Sequence, residues 1–387
     1  MEIAKIYLKK DKERSLLRKH RWVFSGAIKT LPEYLEEGTL VEVRSHQDKF
    51  LAKGFWGKGS ISVRVLSFVN EDFNQHFWNN RIKSAYDSRK NAGVVNNEQT
   101  NLYRLIHGEG DALPGLIIDL YESTAVIQTH SAGYEPYFEN IQKAIQNAFG
   151  STVVNFYIKP HFHSASHYLG KSNASKGIAK ENSISFYIDW EKGQKTGFFI
   201  DQRDNRELLG RLSKGKSVLN TFCYTGGFSL YALKHGASQV VSVDSSALAI
   251  EQLEENLSLN GLKNKKHTSI KADVLEYLKE EGNQYDIIVL DPPAFAKHMS
   301  AKHKAVQAYK RLNAQAMKHM KKGGLLFTFS CSQVVDKGLF NGAITAAAIE
   351  ADRTVRVLHQ LHQPADHPIN IFHPETEYLK GLVLLVE

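Results

Sequence analysis

Over residues 1–70 the apolar positions come in short runs, IYL, WVFSGAI, LVEVRS, FLAKGFW and ISVRVLSF, broken by Gly38, Gly54, Gly57 and Gly59. This pattern predicts short strands, and their length suits a compact β-barrel better than a sandwich. Gly54 permits a close backbone approach, while Trp56 beside Lys53 and Lys58 reads either as a base-stacking platform or as a core residue. Residues 71–185 form a second region. A helix is expected over 73–89, then the loop NAGVVNNEQTN, then strands at LIIDLY, STAVIQTH and VVNFYI with an amphipathic helix over 137–148. That order describes a small central α/β domain. The segment RLIHGEGDALPGLIIDLY reads as a glycine-rich turn leading into a strand.

From residue 186 to 387 the pattern becomes a long α/β alternation. Strands are expected at SVLNTF, QVVSVD, TSIKAD, YDIIVLD, GLLFTFS, VRVLHQL and YLKGLVLLV, with helices between them, clearest over 246–260 and 304–320. Continuous apolar strands alternating with helices imply a mostly parallel sheet covered on both faces. Gly236, Gly261 and Gly323 fall where helices should stop.

Composition narrows the function classes. A length of 387 residues suits two or three domains. The N-terminus has no apolar signal core, and no run approaches the ~20 apolar residues of a membrane span, so a soluble cytoplasmic protein is expected. With only Cys223 and Cys331, a disulfide framework or a cysteine-rich zinc site is excluded. His161 and His163 share one face if their segment is extended, with His167 following, but no carboxylate lies near them in sequence and no metal is expected. The formal charge of +8 favours an anionic partner. Within residues 1–21 stand Lys5, Lys9, Lys10, Lys12, Arg14, Arg18, Lys19 and Arg21 against three acidic residues. They form either an RNA-facing patch or a solvated face.

The candidate chemistry sits at successive strand ends in the C-terminal region. In LNTFCYTGGFSLYA, the residues Asn220, Phe222, Tyr224, Gly226 and Gly227 lie on a strand-to-helix loop where glycines allow a cofactor close to the backbone. Asp244 ends the next strand, where a carboxylate can accept both hydroxyls of a ribose. Asp273 follows the third strand, suited to an adenine edge. Each acid alone could cap a helix, but their common register points to a nucleoside cofactor such as S-adenosylmethionine. In IIVLDPPAFAK, Pro292 and Pro293 stiffen the loop after Asp291, and Phe295 could stack on a base whose polar edge meets Asp291. Cys331 ends the fifth strand. Cytosine C5 is a poor nucleophile, and thiolate addition at C6 makes it electron-rich, so a cysteine there has a chemical purpose. Cys223, in the glycine loop, is expected to pack or line the cofactor pocket.

Over nearly its full length the chain resembles the bacterial and archaeal ribosomal RNA large subunit methyltransferases that make 5-methylcytosine in 23S rRNA. The stretches that carry this resemblance are HRWVFSGAI, GEGDALPGLIIDLY, KTGFFIDQRDNR, LNTFCYTGGFSLYA, VDSS, NLSLNG, DPPAFAK, FTFSCS, ADHP and EYLKG. It implies an N-terminal PUA domain (1–70), a linker helix and central α/β domain (71–185) and a Rossmann-like class I methyltransferase domain (186–387). It also implies that TGFFIDQR closes over S-adenosylmethionine through Phe199, Asp201 and Arg203, and that Arg21 and Trp22 lie near RNA. The partner implied is 23S rRNA or a large-subunit assembly intermediate; a monomer and a weak homodimer both fit. Other RNA cytosine-5 methyltransferases carry a second cysteine after the first proline of the fourth-strand loop. Here Pro293 and Ala294 stand instead, which leaves the release base unassigned. Guanine N-methylation on the same scaffold, or a noncatalytic RNA-binding assembly factor, are the alternatives.

Overall fold

The computed structural model describes residues 3–30, 34–95, 98–160, 165–170, 174–263, 266–280, 284–296 and 298–387. The chain divides into two compact units. One comprises Met1–Lys180, Ile188–Ile200 and Ala365–Thr376; the other comprises Glu181–Tyr187, Asp201–Pro364 and Glu377–Glu387.

In the first unit, β1 (Ala4–Tyr7), the short α1 (Arg14–Leu17), β2 (Trp22–Phe24), β3 (Leu40–Arg44), β4 (Phe50–Trp56) and β5 (Ile61–Ser67) give a sheet in the order β1-β3-β4-β5-β2. Its two edges meet. Leu8 bridges Ile28, the Lys29 N–H donates to Tyr7 O at 2.8 Å and the Lys9 N–H to Ala27 O at 2.9 Å. The sheet thus closes into the expected barrel, around Ile6, Val41, Val43, Ala52, Val63 and Val65. Any side chain at Gly54 would put a Cβ 2.1 Å from Arg64 O on the neighbouring strand. Trp56 is only 3 % exposed, in this core, and Lys53 is buried with its ammonium on Glu71 O, so they form no stacking platform.

The helix α2 (Gln75–Asn91) starts on Asn74, whose side chain accepts the His76 and Phe77 N–H groups. It is followed by β6 (Leu102–His107), β7 (Leu116–Tyr121), β8 (Thr124–Thr129), α3 (Phe138–Phe149), β9 (Asn155–Pro160) and β10 (His167–Tyr168). The sheet order is β10-β9-β8-β7-β6, parallel only between β8 and β9. Phe77, Trp78 and Ile82 of α2 and Ile141 and Ile145 of α3 bury one face of it. Strand β6 went unread in the sequence, where RLIH was assigned to a turn. Arg104 interrupts its apolar run, but is buried by a fork onto Asp119 of β7 at 2.7 and 2.8 Å. The returning segment 365–376 is held in this unit by Asp366, whose carboxylate accepts the Arg104 N–H and whose carbonyl accepts the Arg89 guanidinium. His161 and His163 lie outside the described residues.

Strands β11 (Lys176–Glu181) and β12 (Ile184–Asp189) form a hairpin that the sequence pattern did not reveal. Its two-residue turn has Asn182 and Ser183 at φ 48° and 63°, both left-handed as a type I′ turn requires, but without the glycine that normally advertises one.

The second unit contains α4 (Arg203–Leu212), β13 (Ser217–Thr221), α5 (Gly227–Lys234), β14 (Gln239–Asp244), α6 (Ala247–Leu259), β15 (His267–Lys271), α7 (Val274–Glu280), β16 (Tyr285–Leu290), α8 (Lys302–Lys318), β17 (Met320–Ser330), α9 (Lys337–Glu350), β18 (Val355–Leu361) and β19 (Lys380–Val386). The sheet runs β15-β14-β13-β16-β17-β19-β18. Its first five strands are parallel, and β19 enters antiparallel between β17 and β18. Alternate residues of the strands, such as Ile288 and Leu290, pack with Val274, Tyr309, Leu312, Met317, Phe340 and Ile344 of α7, α8 and α9 in one core. Strand order reverses between β13 and β16, so a crevice opens at their carboxyl ends.

Candidate active site

At the end of β13, Asn220 is 1 % exposed. Its Nδ2 donates to Ser229 Oγ at 2.8 Å, while its Oδ1 is buried without a hydrogen-bond partner. From Ser229 the hydrogen bonds continue to Ser242 Oγ at 2.7 Å and His267 Nε2 at 2.8 Å, joining β13 and α5 to β14 and β15. Burial keeps the His267 imidazole below its usual pKa.

The loop that follows is bent sharply. Phe222, Tyr224 and Gly226 have φ of 52°, 47° and 85°, and two left-handed aromatic residues hold roughly 1–3 kcal/mol of strain each. Asp244 fixes the bend: its Oδ2 accepts the Tyr224 N–H at 2.9 Å and its Oδ1 the Ser246 N–H at 2.9 Å. Each oxygen keeps a second lone pair, and the side chain is half-buried. On the side a Cβ would occupy, both glycines are already packed by protein. A Cβ at Gly226 would lie 2.0 Å from Leu253 Cδ1, and one at Gly227 2.9 Å from Arg206 Cδ. These glycines therefore admit the packing of a helix and an arginine. Helix α5 begins on Gly226 with no side chain capping it, so its leading N–H groups and dipole favour an anion. Asp273 is exposed, and its Oδ1 caps α7 through the Glu276 N–H at 3.1 Å.

Across the switch point, Asp291 Oδ1 accepts the Gln202 amide at 3.0 Å, and Asn205 donates in turn to Gln202 Oε1 at 2.7 Å. Pro292 is buried, Pro293 exposed and Phe295 half-buried, its ring edge-on to Tyr309 at 4.8 Å. Cys331 is half-buried at the end of β17. The next residue, Ser332, donates to Ala296 O at 2.7 Å and ties the β17 end to the DPPAF loop. Cys223 is buried, and burial, then the Asp244 charge, pushes its thiol well above the usual range, so the two cysteines differ in kind.

Asp201 is buried, with Oδ2 accepting the Tyr378 hydroxyl at 2.6 Å. Arg203 is buried 3.8 Å from Glu181, which also takes a bidentate Arg206 at 2.7 Å and the Tyr231 hydroxyl at 3.0 Å. Glu181, Gln202 and Tyr378 escaped the sequence reading because their partners are remote in the chain.

The remaining expected residues belong to the first unit. Phe199 stacks under the Lys195 ammonium at 4.6 Å. Arg21 donates through Nη1 to Val65 O and Leu66 O and lies over Phe68, while its buried Nε has no hydrogen-bond partner among the described residues; burial and the neighbouring Arg81 lower its pKa to about 10. Trp22 is half-buried, donating to Glu109 at 2.8 Å. Beside it, His20, His373 and Glu375 bring potential metal-ligand atoms within 4.8 Å of one another. The Arg21 N–H, however, donates to His373 Nδ1 at 3.5 Å, which puts the imidazole proton on Nε2 and turns an N–H, not a lone pair, toward Glu375.

Comparison with known proteins adds the family. A PUA-like domain model matches residues 6–68, and an S-adenosylmethionine-dependent methyltransferase model matches residues 144–371. The chain is 38% identical over 396 residues to a ribosomal RNA large subunit methyltransferase I of Shewanella amazonensis, covering 99% of both chains. It is 38% identical over 394 residues to the same-named protein of Aeromonas hydrophila, covering 98% of this chain and 99% of that one. Among solved structures, a putative SAM-dependent methyltransferase from Streptococcus mutans has the same fold, with TM-score 0.86 at 24% identity over 99% of this chain and 100% of that one. Among the described residues no helix is long and apolar enough to cross a membrane.

Proposed function

The chain belongs to the ribosomal RNA large subunit methyltransferase I family of S-adenosylmethionine-dependent enzymes, and from that premise we propose that it methylates C5 of a cytosine in 23S rRNA through a covalent bond to Cys331. The observation that carries this reading is a half-buried cysteine at the end of β17, tied through Ser332 to the proline loop after Asp291. Guanine N-methylation has no use for a thiol there.

The residues at the β13 and β14 ends fit the methyl donor. Asp244 has a free lone pair on each oxygen for the ribose hydroxyls, the buried Asn220 Oδ1 awaits a donor, and the uncapped start of α5 suits a carboxylate. Bound there, S-adenosylmethionine supplies a sulfonium methyl group that C5 takes, leaving S-adenosylhomocysteine.

The Cys331 thiolate adds to C6, and the C5=C6 electron pair moves toward C5 while N3 takes a proton from the Asp291 carboxyl. Gln202 orients that carboxyl. After methylation a base removes the C5 proton, the C5=C6 bond re-forms, the C6–S bond breaks to return the thiolate, and N3 gives its proton back. Residues 1–70 are assigned to RNA binding, 71–185 to a connecting α/β domain and 186–387 to transfer. The substrate is 23S rRNA, free or in an assembling large subunit, and the reaction is cytoplasmic.

The test is mass-spectrometric mapping of 23S rRNA from cells lacking the protein, complemented with wild type or Cys331→Ala. One 5-methylcytosine should vanish and return only with wild type. A lost methylguanosine restored by both proteins overturns the reading, and no lost mark at all favours a noncatalytic role.

A further inference from the structure

Lys380, the first residue of β19, pairs across the ladder with Ser330, the last residue of β17. Cys331 is the next residue along. Lys380 is 7 % exposed, and its ammonium donates to Ser332 O at 2.8 Å and Tyr378 O at 2.7 Å. The side chain thus runs past the turn that carries the thiol and ends on the carbonyl one residue beyond it. Among the described residues no carboxylate lies within ion-pair distance of Lys380 Nζ.

A buried ammonium held by two neutral carbonyls is costly unless an anion compensates it. Its third N–H has no acceptor among the described residues. We propose that the Lys380 ammonium is the counter-charge of the Cys331 thiolate, keeping the sulfur ionised for attack and stabilising it again when it leaves. The proposal rests on the covalent reading above. Lys380 acts through the sulfur and is a positioning residue.

The charged surroundings agree in sign. Burial lowers the Lys380 pKa, opposed by the Cys331 thiolate, Glu377 and Asp336, with Lys337 adding to the lowering. Beyond the thiol stand Asp291 and the Tyr309 phenol, whose own proton is held more tightly through burial first and also through Cys331 and Asp291. Neither is cationic, and Lys337, the other cation near Lys380, is paired with Glu377 at 2.5 Å, so none of the three replaces Lys380 in stabilising a thiolate.

The test is the pH dependence of Cys331 alkylation by iodoacetamide in the full-length protein, quantified by peptide mass spectrometry without RNA or methyl donor. Cys223 is the only other cysteine and serves as a slow internal reference. The wild-type midpoint should lie at least about one unit below the ordinary thiol value of ~8.5. Lys380→Gln retains two donors for the carbonyls but drops the charge. It should raise the midpoint and slow alkylation at pH 7 roughly tenfold, with an unchanged rate at high pH. Lys380→Arg should restore most of the shift. A wild-type midpoint at or above the ordinary value overturns the proposal even if no variant folds, as does an unchanged midpoint in a folded Lys380→Gln protein. Because no methylation is measured, failure here is distinct from failure of the cytosine reading, which the rRNA map decides.

Discussion

At the scale of single residues, Asp244 joins backbone geometry to ligand chemistry. Its carboxylate holds the Tyr224 N–H and with it a loop that has two left-handed aromatic residues. The same oxygens face a ribose in the proposed complex. Asp244→Ala removes both roles. A hydrogen bond to a charged group contributes ~1.5–3 kcal/mol, so S-adenosylmethionine affinity should fall roughly 10- to 100-fold by titration calorimetry. Asp244→Asn, which keeps one acceptor, should fall less. An unchanged Kd for Asp244→Ala would remove Asp244 from the cofactor site. Residue type alone does not disclose every contact at this scale: Phe295 also packs edge-on against Tyr309, and Arg21 also donates through Nη1 to two carbonyls.

At the scale of elements, the candidate site depends on how strand ends are joined. Ser332 is buried, and its hydroxyl on Ala296 O couples β17 to the proline loop. Ser332→Ala leaves that carbonyl short of a donor and should cost about 1–3 kcal/mol, seen in chemical denaturation. It should also raise KM for RNA more than KM for the methyl donor. Equal stability of variant and wild type would show the tie to be dispensable. Elements with strong apolar cores were legible in sequence: β13, β14 and β16 run close to the strands read from SVLNTF, QVVSVD and YDIIVLD, since each carries adjacent apolar residues, Val218–Leu219, Val240–Val241 and Ile287–Leu290. Elements stabilised by remote partners were not. Strand β6 contains a buried arginine whose neutralising Asp119 is 15 residues away, and the β11–β12 hairpin turns on Asn182 and Ser183 without a glycine. The strand-end positions of Asp244 and Asp291 were legible, because register follows from strand periodicity, whereas Asp273 lies beyond β15 and caps α7. Lys380 was not singled out, because its position beside Cys331 depends on β19 inserting antiparallel beside β17, an order that apolar patterning does not encode.

At the scale of the molecule, several histidines have imidazole pKa values lowered by burial, and this makes stability depend on pH. Burial lowers His107, helped by His367 and the nearby arginines; burial, then His20, lowers His373 to about 4; burial lowers His267. In each case the unfolded chain binds a proton at ~6.5 while the folded chain resists it. Between those values the unfolded state holds more protons, so stability falls as pH drops. For His373 the loss begins near the unfolded value and levels off below about 4. The melting temperature should therefore decline steadily from pH 7 to 4.5, before most carboxylates protonate. His373→Asn removes one of these protonation sites. The variant should melt lower than wild type at pH 7, having lost the ring that stacks on His20 at 4.2 Å, yet lose less on acidification. Parallel pH profiles for the two proteins, by scanning calorimetry, would mean that His373 takes up its proton equally well folded and unfolded, and that the acid sensitivity arises from the other buried histidines.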